Sequence, residues 1–369
     1  CPPASIIKNI ITKSAEEPND DPRIIAERRA EAIFCRGTGA TPSDACRQYL
    51  AEDFADAARW SLTRSGRSTL GMDRVAMVRA AMQTTSDFQV TANAILNLSV
   101  APAYQAQSSA LKVLAAQKNM TDFRDGSRVQ FSGIGTLKKV AEGGELKHAG
   151  RSDVVESWKL ETMGLLHSVS YQALVNDPTG TLSEFASVAA TAAANTEADI
   201  LAAVLTSNPK LSDGKPVFST ARGNMAAAGS ALSVDSISAA RLAMRSMTGI
   251  DGTRIQVTPK SLVVSPALET LAEQVLAQIY ATTPDGVNPF SGKLTLVVEP
   301  RLTGNGWYMA ADPAQVRCME YGYLAATPGP QISSRDGWET LGVEFRVWED
   351  FGASMVDFRG LYFNPGAAA

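Results

Sequence analysis

Residues 181–205 read TLSEFASVAATAAANTEADILAAVL, and the reading of this run decides how the rest of the chain is placed. Thr181 and Glu184 have the spacing of a capping box, in which a hydroxyl and an acid three residues on satisfy free N–H groups at a helix start. From there Leu182, Phe185, Ala189, Ala192, Thr196, Ile200 and Ala203 recur at helical spacing and predict one narrow stripe made mainly of alanine. Small side chains let such a helix lie close against a sheet. At 3.6 residues per turn the run makes about seven turns, long enough to serve as a spine.

Upstream of the spine the chain changes character twice. The first 80 or so residues predict short helices: Asp21-Pro22 opens DPRIIAERRAEAIFCR and Thr41-Pro42 opens TPSDACRQYLAEDFADAARWSL, each a cap followed by proline at the first helical position. A third, MDRVAMVRAAM, follows the break SGRSTLG, so this part reads as a loosely joined arm. From Asp122 onward the pattern is extended. Two polar, strand-like runs flank EGGE at Glu142 to Glu145, and neither has enough large apolar residues to bury a face of its own. Such a hairpin is marginal alone, so a neighbour must stabilise it.

Downstream of the spine, elements of both periods alternate. Ser233 caps SVDSISAARLAMRSM, SLVVS is a short buried strand, and Pro266 opens PALETLAEQVLAQIY with Leu268, Leu271, Ala272, Val275, Leu276 and Ile279 on one face. The strands LTLVVEP and GWYMAA and the run VRCMEYGYLA follow, giving helices packed on a mixed sheet. Leu341, Val343, Phe345 and Val347 then alternate in period two. Those C-terminal strands are expected to pair with the strand ending YQALVND and so return to the spine.

Composition narrows the function. The 369 residues are 45% hydrophobic and 20% charged, enough for a substantial core in two or more units. With 34 basic and 38 acidic residues the net charge is -4, so no overall positive field holds nucleic acid or an anionic membrane. Cys1, Cys35, Cys46 and Cys318 lack CxxC or metal spacing, and packing is their expected role. No apolar run approaches the roughly 20 residues of a membrane span. The chain begins CPPASIIKNI rather than with methionine, which fits removal of an upstream segment.

Chemistry-bearing motifs fail on inspection. GVNPFSGK, from Gly286, resembles a phosphate loop, but five residues rather than four precede the Gly-Lys and Leu294 stands where Ser or Thr would hold magnesium. A helix precedes it and a strand follows, so no helix N-terminus faces it. His148 and His167 have no nucleophile motif around them. Glu269 and Glu273 sit one helical turn apart, the usual pattern of a solvated face. A soluble α/β enzyme would need an unrecognised site in the 205–232 loop.

The order of elements, and many local phrases, resemble the major capsid proteins of tailed bacteriophages. TSDF at Thr85, LKKVAEGGELKHA, KLETMGLLHSVSYQALVNDPTG, LTSNPKLSDGKPVFS with RGN, LVVSPALETLAEQVL, VNPFSGKLTLVVEPRL, WYMAADP and DFGASMVDFRGLYFNPG are similar to the Mu-like head subunits. These include subunits encoded as fusions to a ClpP-like prohead protease, whose upstream portion is cut away. The resemblance covers residues 84–366.

It implies an α+β capsid fold: an N-terminal helical arm over 1–88, an extended hairpin loop over 126–161, and an axial α/β domain over 233–325. The peripheral domain would take 89–125, 162–232 and 326–369, with the spine helix at 181–205. The hairpin would lie across a neighbouring subunit, with Lys138, Lys139, Glu142, Gly143, Gly144, Glu145 and Lys147 near its tip. Asp285, Gly286, Val287 and Asn288 would lead through Pro289, Phe290 and Ser291 to Gly292 and Lys293 in a loop at the capsomer axis. One branch of the fold joins a hairpin lysine to an asparagine, and Asn364 is the candidate here.

The implied function is self-assembly into hexamers and pentamers of an icosahedral head enclosing double-stranded DNA. No catalytic residue, metal or cofactor is expected. Partners would be other copies, the portal, decoration or scaffold proteins and a prohead protease, with non-specific contact to packaged DNA and no membrane. The protein would reside in the virion, assembled in the bacterial host cytoplasm. An encapsulin-like or gene-transfer-agent shell protein shares the same expectations.

Overall fold

The structure is a computed structural model that describes residues 21–38, 41–84, 88, 90–95, 98, 104, 109–131, 153–170, 180–277, 293–336 and 342–367. The chain forms two compact units: residues 1–108, 162–195 and 326–350 make the first, and 109–161, 196–325 and 351–369 the second.

In the first unit, Asp21 accepts the Arg23 N–H at 2.9 Å as α1 (Pro22–Thr38) begins. The helix expected from Thr41 is divided. The Ser43 N–H and hydroxyl both donate to Glu31, at 2.9 and 3.0 Å, which ties this stretch to α1. Only a short 3-10 turn, Arg47–Tyr49, follows before Asp53 and Asp56 form a reciprocal capping box that starts α2 (Phe54–Arg64). After α3 (Arg74–Thr84), Ala57, Ala58, Leu62, Met77, Ala81 and Phe88 bury one another. Arg29 lies between the rings of Tyr49 and Trp60, 4.9 and 4.7 Å from their centroids, and pairs with Glu52 at 2.6 Å. These helices therefore have a small core, more than a loosely joined arm would have. The sequence hid it because much of that core is alanine.

The first unit also holds β4 (Glu161–Ser170), β9 (Gln331–Asp336) and the start of β10 (Gly342–Met355). β4 neighbours β10, as expected, and β9 pairs antiparallel with it from Val343↔Asp336 to Trp348↔Gln331. Phe345 and Val347 point inward with period two.

The spine, α4 (Gly180–Thr206), is continuous. Its buried residues are Ala189, Ala190, Ala193, Ala194, Glu197, Ala198, Leu201, Ala202 and Leu205. The expected stripe is off by about one position: Ala192, Thr196 and Ile200 are half-buried and Ala203 is exposed. Alanine on both flanks leaves little contrast between adjacent faces, and Glu197 reads as an outward residue although it points inward. By length and composition Ser187–Thr206 could cross a membrane, although Asn195, Glu197 and Asp199 interrupt its apolar run as expected. Half of that window is buried within the protein, and Glu197 in its middle is charge-paired with Lys112, which marks a core helix.

The described residues of the second unit contribute to two larger sheets and form a separate two-stranded ladder. In one, β1 (Ala115–Met120) runs parallel to β8 (Met319–Leu324), and β8 pairs antiparallel with residues 351–355 of β10. In the other, β5 (Pro259–Val264) lies between β6 (Thr295–Val298), parallel, and β7 (Trp307–Ala311), antiparallel, and β11 (Leu361–Asn364) closes the β7 edge. Helices α5 (Val234–Arg245) and α6 (Glu269–Leu276) complete its core through Ile237, Ala240, Met244 and Ala272, against Leu262, Trp307 and Met309. The capping box of α5 joins Ser233 to Ser236. Two strand placements differ from the sequence reading: β8 joins β1 and β10 rather than β7, and β11 joins β7. β8 is buried almost throughout, and a buried run carries no periodicity to say which sheet it enters.

Gly322 and Gly352 face each other across β8 and β10. A Cβ on Gly352 would come within 2.5 Å of the Lys159 carbonyl oxygen, and one on Gly322 within 2.8 Å of the Trp158 ring. The glycine pair thus leaves room for the 158–160 segment to cross directly over the sheet, where Trp158 and Leu160 join Met120 and Val356 in a small core. Gly352→Ala should destabilise the folded subunit by about 1–3 kcal/mol through overpacking against backbone, measured as a lower midpoint in urea unfolding.

Candidate assembly interface at the hairpin base

β2 (Gly126–Phe131) and β3 (Asp153–Trp158) pair antiparallel in register from Gly126↔Trp158 to Phe131↔Asp153. The pairing sets two faces. Arg128 opposite Glu156, and Gly126 opposite Trp158, turn inward; Val129 opposite Val155, and Ser127 opposite Ser157, turn outward.

The inward face is tied to the second unit by charge. Arg128 forms an ion pair with Glu320 of β8, and the Trp158 Nε1–H donates to the same carboxylate at 3.4 Å. Glu320 is buried, so these partners offset the cost of removing its charge from water. Glu156, also buried, accepts from the Ser212 N–H at 2.9 Å and from its hydroxyl at 2.6 Å. Among the described residues the outward face has no comparable tie. Val129 and Val155 are 40% and 47% exposed, a cross-strand apolar pair facing solvent.

Residues 132–152, which include Lys138, Lys139, Glu142, Gly143, Gly144, Glu145 and Lys147, lie outside the described residues. So do Asp285, Gly286, Val287, Asn288, Pro289, Phe290, Ser291 and Gly292 of the axial loop. Lys293 is described and exposed. The elements flanking that loop are clear: α6 ends before it, β6 begins after it, and β5 and β6 are parallel. The loop therefore enters the N-terminal end of β6, whereas open α/β sheets bind nucleotides beyond the C-terminal ends of strands.

Other candidate groups are committed to structure. Asn364 is buried; its Oδ1 accepts from the Ser230 and Gly366 N–H groups, both at 3.0 Å, and its Nδ2 donates to the Ser230 hydroxyl at 2.9 Å. That arrangement commits its amide to hydrogen bonds within its own subunit. In the 205–232 loop, Asn208 exchanges hydrogen bonds with the Phe218 backbone at 2.7 and 3.0 Å. Arg222 there stacks 4.2 Å from the Phe358 ring centroid and donates to the Pro216 carbonyl at 2.8 Å. Glu269 and Glu273 are exposed, and no group of three or more His, Cys, Asp or Glu among the described residues is placed to hold a metal.

Sequence reading missed the buried polar network that fixes the spine. Lys112 pairs with Glu197 and donates to the Tyr323 hydroxyl at 3.1 Å. Arg301 bridges Asp199 and buried Glu299, the latter at 3.2 Å, and the Ser109 hydroxyl donates to Glu299 at 3.4 Å. Its one sequence signal was an acid, Glu197, inside an alanine run.

The polar groups described above serve packing, and the paired strands present two valines to solvent. Residues 154–364 match the family model described as phage capsid protein, and the chain belongs to that family. It is a major capsid protein, a structural subunit of an icosahedral shell. Among solved structures, the capsid of Ralstonia phage GP4 is similar over 71% of this chain and 92% of that chain, at 9% identity and a TM-score of 0.51. A chain of Microbacterium phage Oxtober96 is similar over 70% and 91%, at 11% identity and a TM-score of 0.49. The capsid of a native GTA particle is similar over 70% and 90%, at 12% identity and a TM-score of 0.49. No curated protein matches.

Arg128→Ala, which leaves Glu320 buried without its cation, should cost about 1–3 kcal/mol, whereas Arg128→Ala with Glu320→Gln should recover part of that loss in chemical denaturation. Burial, with Cys46 and Glu31 nearby, pushes the Cys35 thiol up to about 11, and burial raises Cys46 and Cys318 as well. Since the thiolate is the reactive form, a thiol reagent at pH 8 should leave these three unmodified in the native protein and modify them in denaturant, as read by mass spectrometry.

Proposed function

We propose that the β2–β3 hairpin is the element by which one subunit lies across the next, its outward face buried only on assembly. The observation that carries this reading is the exposed Val129–Val155 pair on a ladder whose other face is already fixed to its own subunit. An isolated two-stranded ribbon is marginally stable, so a second chain supplies the missing cover.

In the same reading, residues 126–161 are the extended loop, residues 233–325 the axial domain, with β11 in its sheet and β8 outside it, and residues 285–293 a turn at the capsomer axis. The arm over 1–88 and the peripheral domain over 89–125, 162–232 and 326–369 meet adjacent capsomers. Obligate interfaces of this kind commonly bury above roughly 2,000 Å², so shell stability accumulates over many repeated contacts. With a net charge of -4 the subunit is a container for DNA, touching it at few and non-specific points, and it works with a portal, scaffold or decoration proteins and a prohead protease in the bacterial host cytoplasm. An upstream protease portion, as in the fusion branch, fits the resemblance of the 84–366 region.

Val155→Asp tests the reading directly. A surface substitution of this kind should change subunit stability by no more than about 0.5 kcal/mol, yet sedimentation and electron microscopy should find free subunits where the unaltered protein gives closed shells. Phe290→Ala should likewise reduce capsomers. Normal shells from Val155→Asp would remove the hairpin from the interface.

A further inference from the structure

A cavity of about 210 Å³ in the second unit is lined by Arg241, Arg245, Thr258, Lys293, Leu294 and Met309, together with Pro259. Arg241 and Arg245 stand one turn apart on α5, Thr258 and Pro259 open β5, and Lys293 and Leu294 lead into β6. Buried Met309 of β7 forms its apolar floor. Arg241, Arg245, Lys293 and Thr258 thus line one small space, and no carboxylate is among the described residues around it, in a chain with four more acids than bases. Like charges one helical turn apart repel, and Arg245 and Lys293 have neither ion-pair nor hydrogen-bond partner among the described residues.

We propose that this cavity is a site for a phosphate-class anion. Guanidinium groups present forked N–H donors that match phosphoryl oxygens, and a lysine adds a mobile point charge. The Thr258 hydroxyl adds a neutral donor, and the volume falls below the roughly 300 Å³ at which pockets for drug-sized ligands begin, which fits one or two phosphoryl groups. The site differs from the phosphate loop ruled out by sequence. Its charge comes from the side chains of α5 and from Lys293, and the backbone of residues 286–292 is not required. The inference does not depend on the hairpin reading.

A phosphoryl group could come from a free polyphosphate or from a DNA backbone, and calorimetric titration of the full chain with tripolyphosphate, beside a short thymidine oligonucleotide at equal ionic strength, distinguishes them. Saturable tripolyphosphate binding that weakens by about tenfold or more in Arg245→Ala and in Lys293→Ala supports a free-anion site. The combined Lys159→Ala and Lys210→Ala control, which removes two positive charges elsewhere, should bind as the unaltered chain does. Oligonucleotide binding alone, with the same dependence on Arg245 and Lys293, supports the site and assigns its source to nucleic acid. No saturable binding of either probe overturns the proposal. So does binding that the two variants leave unchanged, even if those variants fail to assemble.

Discussion

The close approach of backbone to backbone at Gly322 and Gly352 is the constraint on which the arrangement of the second unit depends. Because neither position has a Cβ, the chain leaving β3 crosses directly over β8 and β10 before entering β4. That crossing places Trp158 in a small core and Glu156 and Arg128 within reach of Ser212 and Glu320. The hairpin base is therefore fixed in direction by sterics and in register by charge. An outward face with the exposed Val129–Val155 pair is left over as a geometric consequence, since strand residues alternate sides.

The same logic of close packing plus matched charge fixes the spine. Alanines at steps of four allow near approach, and the acid among them, Glu197, has Lys112 as its partner. A buried pair of this kind is weak evidence for net stability, because desolvation opposes the Coulomb gain. Its value is specificity: with Glu197 inward, only one rotation of an otherwise uniform alanine helix satisfies the charge. The shift of the buried stripe from its expected positions is explained by that single requirement.

What was legible in the sequence followed strong local signals. The caps at Asp21 and Ser233, the buried strand at SLVVS, the paired runs on either side of EGGE and the alternation through Phe345 and Val347 each rest on a few adjacent residues. Features that depend on distant partners were not legible. β8 and β11 could not be assigned to a sheet from their own residues, Glu31 holding Ser43 away from a helix is a contact between separate elements, and the Arg128–Glu320 pair joins residues far apart in the chain. Many phrases in a fixed order identified the family, while no phrase by itself located the hairpin's latch or the basic cavity beside α5.

The β2–β3 ladder is held by its own subunit on one face, and the proposed assembly covers the other with a second subunit. Hydrogen–deuterium exchange, followed by mass spectrometry on isolated subunits and on assembled shells, tests it most directly. Amides of 126–131 and 153–158 should exchange readily in the isolated subunit, as a two-stranded ribbon does, and become strongly protected in the shell. Over the same comparison β5 and β7, already buried in their own core, should change little. Equal exchange of the hairpin amides in both states would mean that no second subunit covers the ladder.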